Sequence, residues 1–149
     1  QRQKASNVLI FQKDASNYKN QELFDKILLD VPCTALGTSS SHPEVIFKVN
    51  KDSFKQLQRV QRDIIKNSFE NIKENGEIVY STCTYSLEEN TDNMKWIEEN
   101  YNVEFIKLDE FFNKYNINYY YDGFGYFIIP DEDFITFYVS KIKNIGGKK

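Results

Sequence analysis

The chain has 149 residues, of which 40% are hydrophobic and 28% are charged, and its formal net charge is −3. These values are ordinary for a globular domain with its own core, and the acidic balance disfavours a protein that binds nucleic acid unaided, since such proteins usually carry a basic face. No apolar run approaches the roughly 18 residues of a membrane helix, and no apolar stretch typical of a signal peptide follows Gln1–Lys4.

The first half of the chain predicts two strands and one long helix. Short apolar runs at Val8–Phe11 and Phe24–Val31 are typical of buried strands. Apolar residues then recur at spacings of three to five from Phe54 to Ile72, which indicates an amphipathic helix. We expect Asp52 to cap its start and Gly76 to end it.

The second half predicts a series of shorter elements. A capping-box pattern at Ser86 and Glu89 favours a helix start there. The tail Gly146–Lys149 is expected to be mobile. The predicted elements are a strand at Ile78–Tyr80, a helix from Leu87 to about Asn100, a strand at Val103–Leu108, a short helix at Asp109–Tyr115, a loop at Asn116–Gly123, and an antiparallel hairpin of Tyr126–Ile129 and Phe134–Ile142.

This order of elements predicts an α/β fold with a mostly parallel sheet, to which the terminal hairpin adds an antiparallel edge. Cys33 follows the end of one predicted strand, and Cys83 follows the end of the next. Because a helix connects these strands, they should be parallel neighbours about 4.8 Å apart. Both cysteines and Asp30 then converge at the carboxyl edge of the sheet, where open α/β sheets bind ligands.

Simpler roles compete for the cysteines. A cysteine at a strand end is more often a small buried hydrophobe than a nucleophile. A disulfide is disfavoured in the reducing, intracellular compartment that we expect for this chain. Two cysteines and one histidine in no zinc spacing predict no metal site. The residues that flank the cysteines therefore have to decide their role.

Two long segments carry a family resemblance. Residues 24–38, FDKILLDVPCTALGT, resemble the FDxILLDxPCSGxG segment of the RNA cytosine carbon-5 methyltransferases of the Sun/Fmu group, and residues 76–84, GEIVYSTCT, resemble their GGxLVYSTCS segment. Glu88–Asn90 match the family's EEN helix start, and His42–Glu44 resemble its HPD. Gln61 also stands where the family has a glutamine.

The resemblance implies a Rossmann-like class I methyltransferase fold, S-adenosylmethionine as the methyl donor, and RNA, ribosomal RNA in particular, as the substrate. It implies that Cys83 is the nucleophile that attacks carbon-6 of cytosine and that Cys33 assists elimination of the adduct. Asp30 would hold the base edge near the methionine end of the cofactor, and Asp14 would contact its adenosine. As alternatives, Asp30 can cap a turn and Asp14 can be a surface carboxylate.

The chain also departs from the family pattern. The family's Gly-rich cofactor loop, with its catalytic lysine, has no match, so we interpret residues 1–149 as the C-terminal part of a catalytic domain that lacks the first strands. In the family sheet order 3-2-1-4-5-7-6, Val8–Phe11 would be strand three and would lack its partners. Ile27–Asp30 would then be an exposed sheet edge that can self-associate. We also expect these residues alone to bind the cofactor poorly.

Two other functions remain open at this point. A domain that kept the fold without the cofactor loop can serve as a non-catalytic RNA- or protein-binding module. The pair Cys33 and Cys83 can instead belong to a thiol redox protein. A Gly-rich loop upstream in the gene favours the enzyme, and insensitivity of both thiols to oxidants disfavours the redox protein.

Overall fold

A computed structural model describes residues 6–132 and 134–149, so residues 1–5 and Asp133, at the end of the predicted hairpin loop, lie outside the described residues. The elements are, in chain order, β1 (Phe24–Asp30), α1 (Val45–Lys48), α2 (Lys51–Asn71), β2 (Ile72–Thr82), α3 (Thr91–Asn100), β3 (Tyr101–Ile106), α4 (Asp109–Lys114), β4 (Tyr119–Tyr121), β5 (Tyr126–Ile128) and β6 (Phe137–Lys148). None of the helices in these ranges is both long and apolar enough to span a membrane.

The strands form one mixed sheet in the order β1-β2-β6-β5-β4, with β3 also paired to β6. The predicted parallel pairing of β1 and β2 is confirmed, and it sets Asp30 opposite Ser81. The other described pairs are antiparallel, so the antiparallel share of the sheet is larger than expected. Strand β6 lies inside the sheet rather than at its edge, because β2 pairs with one side of it while β3 and β5 pair with the other.

The main core lies between the sheet and the two longer helices. Alternate residues of β2, Ile78 and Tyr80, are almost fully buried, and Ile142 of β6 is the cross-strand partner of Ile78. Ile65 of α2 and Met94 of α3 complete the same apolar cluster. The inward-facing side chains of the strands, which occur at every second residue, pack here against the apolar stripes of the helices. Burial of these side chains is the main contribution to the stability of the fold.

The long helix begins and ends earlier than the sequence predicts. Asn50, rather than Asp52, caps α2, because its side chain accepts the backbone N–H of Ser53 in a reciprocal capping box. The helix does not continue to Gly76, since Ile72 is already extended and pairs with Phe24 of β1. The polypeptide thus passes from α2 into β2 with no intervening loop.

Val8–Phe11 does not form the buried strand that its apolar run predicts. These residues are outside every strand and largely exposed, from 48% for Val8 to 83% for Leu9. Within the described residues, this segment pairs with no strand of the sheet. β1 likewise pairs with β2 alone in the described part of the chain, and Leu28 on β1 is 71% exposed.

Three further predictions need correction. The tail is paired rather than free, because β6 continues to Lys148, opposite Tyr101, helped by positive φ at Gly146 and Gly147. The predicted loop after α4 contains a strand, β4, which pairs with β5. Helix α3 begins at Thr91 rather than at Leu87.

Candidate active site

The two cysteines lie side by side at the carboxyl edge of the sheet. Cys33 follows β1 in the short loop that ends in the 3-10 turn Leu36–Thr38, and Cys83 directly follows β2. Their sulfur atoms are 3.2 Å apart, and both thiols are free and half-buried. The predicted convergence of the two thiols is therefore observed, since parallel neighbouring strands bring their carboxyl ends together.

Hydrogen bonds fix the backbone on both sides of Cys83. Asn90 accepts a hydrogen bond from Thr82 Oγ1 at 2.6 Å and donates one to the carbonyl of Thr84 at 2.9 Å. The carbonyl of Cys83 accepts the backbone N–H of Gly37 at 2.9 Å. Asn90 and Thr82 are fully buried, so these hydrogen bonds are shielded from water and orient Cys83.

The thiol of Cys33 is held in its protonated form at neutral pH. Burial raises its pKa, and the hydrogen bond with Cys83 raises it further. A protonated Cys33 can donate its S–H to the sulfur of Cys83, 3.2 Å away. The pair can therefore divide its work between one sulfur that attacks and one that carries a proton.

The two predicted carboxylates are exposed, and the structure connects neither of them with the thiols by a described hydrogen bond. Asp30 ends β1 beside Ser81. The carboxylate of Asp14 accepts the backbone N–H of Ser16 at 2.9 Å, and this bond lowers the pKa of the Asp14 carboxyl. Asn67 of α2 holds the Asp14 segment by donating to the carbonyl of Ala15. The roles of Asp14 and Asp30 remain predictions.

The site also contains residues for which the sequence predicted no role. Glu89 is fully buried and accepts hydrogen bonds from Thr34 and from Gln61. Its place in the capping-box pattern indicated a helix cap, and half of that box is present, since the Glu89 backbone N–H donates to Ser86 Oγ at 3.3 Å. The other half is absent, because the Glu89 side chain turns inward to Thr34 and Gln61. The EEN pattern was the available signal for Glu89 and Asn90, and only the fold shows what they bind.

The part of the chain that the structure describes offers no cluster of metal-binding side chains. Within the described ranges, no group of three His, Cys, Asp or Glu side chains is arranged to hold a metal ion. His42 is exposed in the loop before α1, and its Nδ1 atom lies 3.6 Å from Oε1 of Glu44.

The parallel pair β1–β2, with the two cysteines after the ends of its strands, fits an α/β methyltransferase domain. Two solved methyltransferase structures support that class. NSun6 from Pyrococcus horikoshii with SFG, an S-adenosylmethionine analogue, has a TM-score of 0.62 and 26% identity, over 95% of this chain and 36% of that one. A methyltransferase homologue from Pyrococcus horikoshii has a TM-score of 0.58 and 26% identity, over 83% of this chain and 40% of that one.

The chain belongs to the 16S rRNA methyltransferase RsmB/F family, which matches residues 1–143. Ribosomal RNA small subunit methyltransferase F of Escherichia coli O6:H1 is 33% identical over 124 residues, which are 82% of this chain. The chain spans about a quarter of the length of that relative, 26%. S-adenosylmethionine is the cofactor of this class of methyltransferase.

Proposed function

We propose that this chain carries the cysteine pair of an S-adenosylmethionine-dependent enzyme that methylates carbon-5 of cytosine in ribosomal RNA. The observation that supports it is the 3.2 Å approach of the Cys33 and Cys83 sulfur atoms at the carboxyl edge of the sheet. Membership of an rRNA methyltransferase family supports the reaction class and the substrate. No feature of the described residues favours the non-catalytic module over the enzyme.

Cys83 is the proposed nucleophile. Carbon-5 of cytosine reacts poorly with electrophiles, and addition of the Cys83 sulfur to carbon-6 forms an S–C6 bond and moves the electrons of the C5–C6 double bond to carbon-5. S-adenosylmethionine, when bound, supplies the electrophilic methyl group. The Gly37 hydrogen bond to the carbonyl of Cys83 and the Asn90 hydrogen bonds with the flanking Thr82 and Thr84 hold this segment in place during the attack.

Cys33 is the proposed partner for elimination. Product release transfers the proton of carbon-5 to solvent water, breaks the S–C6 bond and restores the C5–C6 double bond. The raised pKa of the Cys33 thiol keeps a proton next to the Cys83 sulfur, where it can be handed to the leaving thiolate. Cys33 is suited to this step because a buried, protonated thiol is a poor competing nucleophile.

Asp14 and Asp30 are the proposed contacts to the cofactor and the base. Both carboxylates are exposed and can accept hydrogen bonds from amine or hydroxyl donors, so their chemistry fits part of such a site. Asp30 would serve the base edge and the methionine end, and Asp14 the adenosine. We infer that residues 1–149 alone bind S-adenosylmethionine poorly, and micromolar binding by isothermal titration would contradict that.

Adduct trapping in the full-length gene product tests the assignment of the two cysteines. With Cys33→Ala, elimination should stall, so a covalent complex with target RNA should accumulate on a denaturing gel. Adding Cys83→Ala should abolish that complex, and an RNA with uridine at the target position serves as the control. A covalent complex that persists without Cys83 would refute the proposal.

A further inference from the structure

Glu89 occupies a fully buried position between the two cysteine loops. Its Oε2 accepts the backbone N–H of Thr34 at 3.0 Å and a Gln61 Nε2 hydrogen at 2.8 Å. Its Oε1 accepts the hydroxyl of Thr34 at 2.5 Å. A carboxyl group is costly to bury, and these three donors are what offsets the loss of water.

The Glu89 carboxylate reaches both cysteines through the threonine that follows each one. Thr34 follows Cys33, Thr84 follows Cys83, and their hydroxyl oxygens lie 2.8 Å apart. Because the single Thr34 hydroxyl hydrogen points to Glu89, the Thr84 hydroxyl must donate to Thr34. A directed chain of hydrogen bonds therefore runs from the Cys83 loop through the Cys33 loop and ends on Glu89.

Gln61 extends this chain to helix α2. The same Gln61 amide that donates to Glu89 donates to the carbonyl of Pro32 at 2.9 Å, just before Cys33. Gln61 Oε1 in turn accepts from Asn93 of α3 at 2.9 Å. No buried side-chain nitrogen or oxygen in the described ranges lacks a partner, so each amide of the network has a fixed orientation.

We propose that Glu89 is a positioning residue that clamps the Cys33 loop to the end of β2 and thereby sets the separation of the two thiols. This inference rests on the proposed function, in which a proton passes between the two sulfur atoms. Such a transfer requires a short distance between them. Glu89 does not touch the thiols itself. It acts through Thr34, which it binds at both the backbone and the hydroxyl.

A glutamine in this position cannot do the same. Gln has one acceptor oxygen, so Glu89→Gln turns an NH2 group toward either the Thr34 side or the Gln61 side, where donors already point. The neighbouring Glu88→Gln is a matched control. Glu88 is exposed, and its side chain accepts a hydrogen bond from the Ser86 hydroxyl that a glutamine oxygen can also accept.

Thiol bridging in the 149-residue chain tests the proposal without RNA or cofactor. Dibromobimane bridges two adjacent thiols, each sulfur displacing one bromide, and monobromobimane reports the reactivity of single thiols. Glu89→Gln should lower the ratio of bridging to single alkylation by roughly tenfold, the factor expected when a charge-assisted hydrogen bond is lost. Glu88→Gln should leave this ratio at the wild-type value.

An unchanged ratio in a Glu89→Gln chain with native circular dichroism would overturn the proposal. If that variant does not fold, Thr34→Val and Thr34→Ser decide: valine removes the hydroxyl link and should lower the ratio, whereas serine keeps it. Equal ratios for these two variants also overturn the proposal. The adduct assay on Cys83 is independent of this result, so failure of the clamp and failure of the enzymatic function are distinguishable.

Discussion

Thr34 and Thr84 share a hydrogen bond of 2.8 Å between their hydroxyl oxygens although 50 residues separate them in the chain. Each threonine directly follows a cysteine, so the bond joins two loops with the same local pattern. The loops meet because β1 and β2 are parallel neighbours, and Asp30 at the end of β1 lies opposite Ser81 near the end of β2. The thiol pair is thus held by the sheet below it and by side-chain hydrogen bonds beside it.

The left-handed backbone at Ala35 predicts a stabilising substitution. Ala35 has φ of 58° and ψ of 21°, a conformation that costs an alanine roughly 1–2 kcal/mol. Ala35→Gly should therefore raise the free energy of unfolding by about 0.5–1 kcal/mol, after the larger backbone entropy loss of glycine. Urea denaturation measures this, with Ala15→Gly as the control, because Ala15 has no positive φ. Destabilisation by Ala35→Gly would contradict the prediction.

The close packing at Gly37 predicts a destabilising substitution. A Cβ atom at this position would lie 2.8 Å from the carbonyl oxygen of Cys83 and still closer to that of Thr136. Both obstacles are backbone, so they cannot rotate away, and Gly37→Ala should cost about 3 kcal/mol. Exposed Ser40→Ala in the same loop should change the free energy of unfolding by less than about 0.5 kcal/mol. Urea denaturation with equal midpoints for the two variants would show that the loop adjusts freely.

The tyrosine cluster around Asp109 predicts an acid-sensitive contribution to stability. Tyr126 donates to Asp109 at 2.6 Å and Tyr119 donates at 3.0 Å, and the Tyr126 bond is the main cause of the lowered pKa of the Asp109 carboxyl. A carboxyl group whose pKa is lower in the folded than in the unfolded protein stabilises the folded state. This stabilisation is fully present above the unfolded pKa, about 3.9, and is lost as the pH falls through the folded pKa.

Asp109→Asn should therefore weaken the pH dependence of the urea midpoint below about pH 4 relative to the wild-type chain. Glu110→Gln removes a carboxyl from the same helical turn and should retain the wild-type slope. Identical acid slopes for wild type and Asp109→Asn would rule out a stabilising role for the two tyrosine hydrogen bonds.

The open edge of β1 predicts concentration-dependent association of this chain. In the described residues β1 pairs only with β2, and Leu28 exposes 71% of its surface. Leu28→Lys should shift the chain toward monomer in sedimentation velocity, because a charged side chain on an edge strand opposes strand pairing. Phe47→Lys, which replaces an 89% exposed residue on α1, should not. A wild-type chain that stays monomeric at high concentration would contradict the prediction.

The sequence predicted much of the sheet but misplaced several element ends. The apolar runs and the cysteines after them were sufficient to predict parallel β1 and β2 with adjacent thiols. The pattern that marks a strand lies within a few consecutive residues, so it can be recognised in the sequence. The end of α2 was wrong, since the pairing of Ile72 with Phe24 across the sheet overrides the stop signal of Gly76. The run Val8–Phe11 reads as a strand, but hydrogen-bonding partners decide whether a strand forms.

By itself the sequence determined the family, the thiol pair and the edge of the sheet on which the pair lies. These three features depend only on short segments and on the order in which the segments follow one another. Only the tertiary structure decided that β6 lies inside the sheet and that Glu89 turns inward to bind Thr34, 55 residues away. The physical reason is that a buried polar group takes whichever partners the fold brings to it, and those partners are distant in sequence.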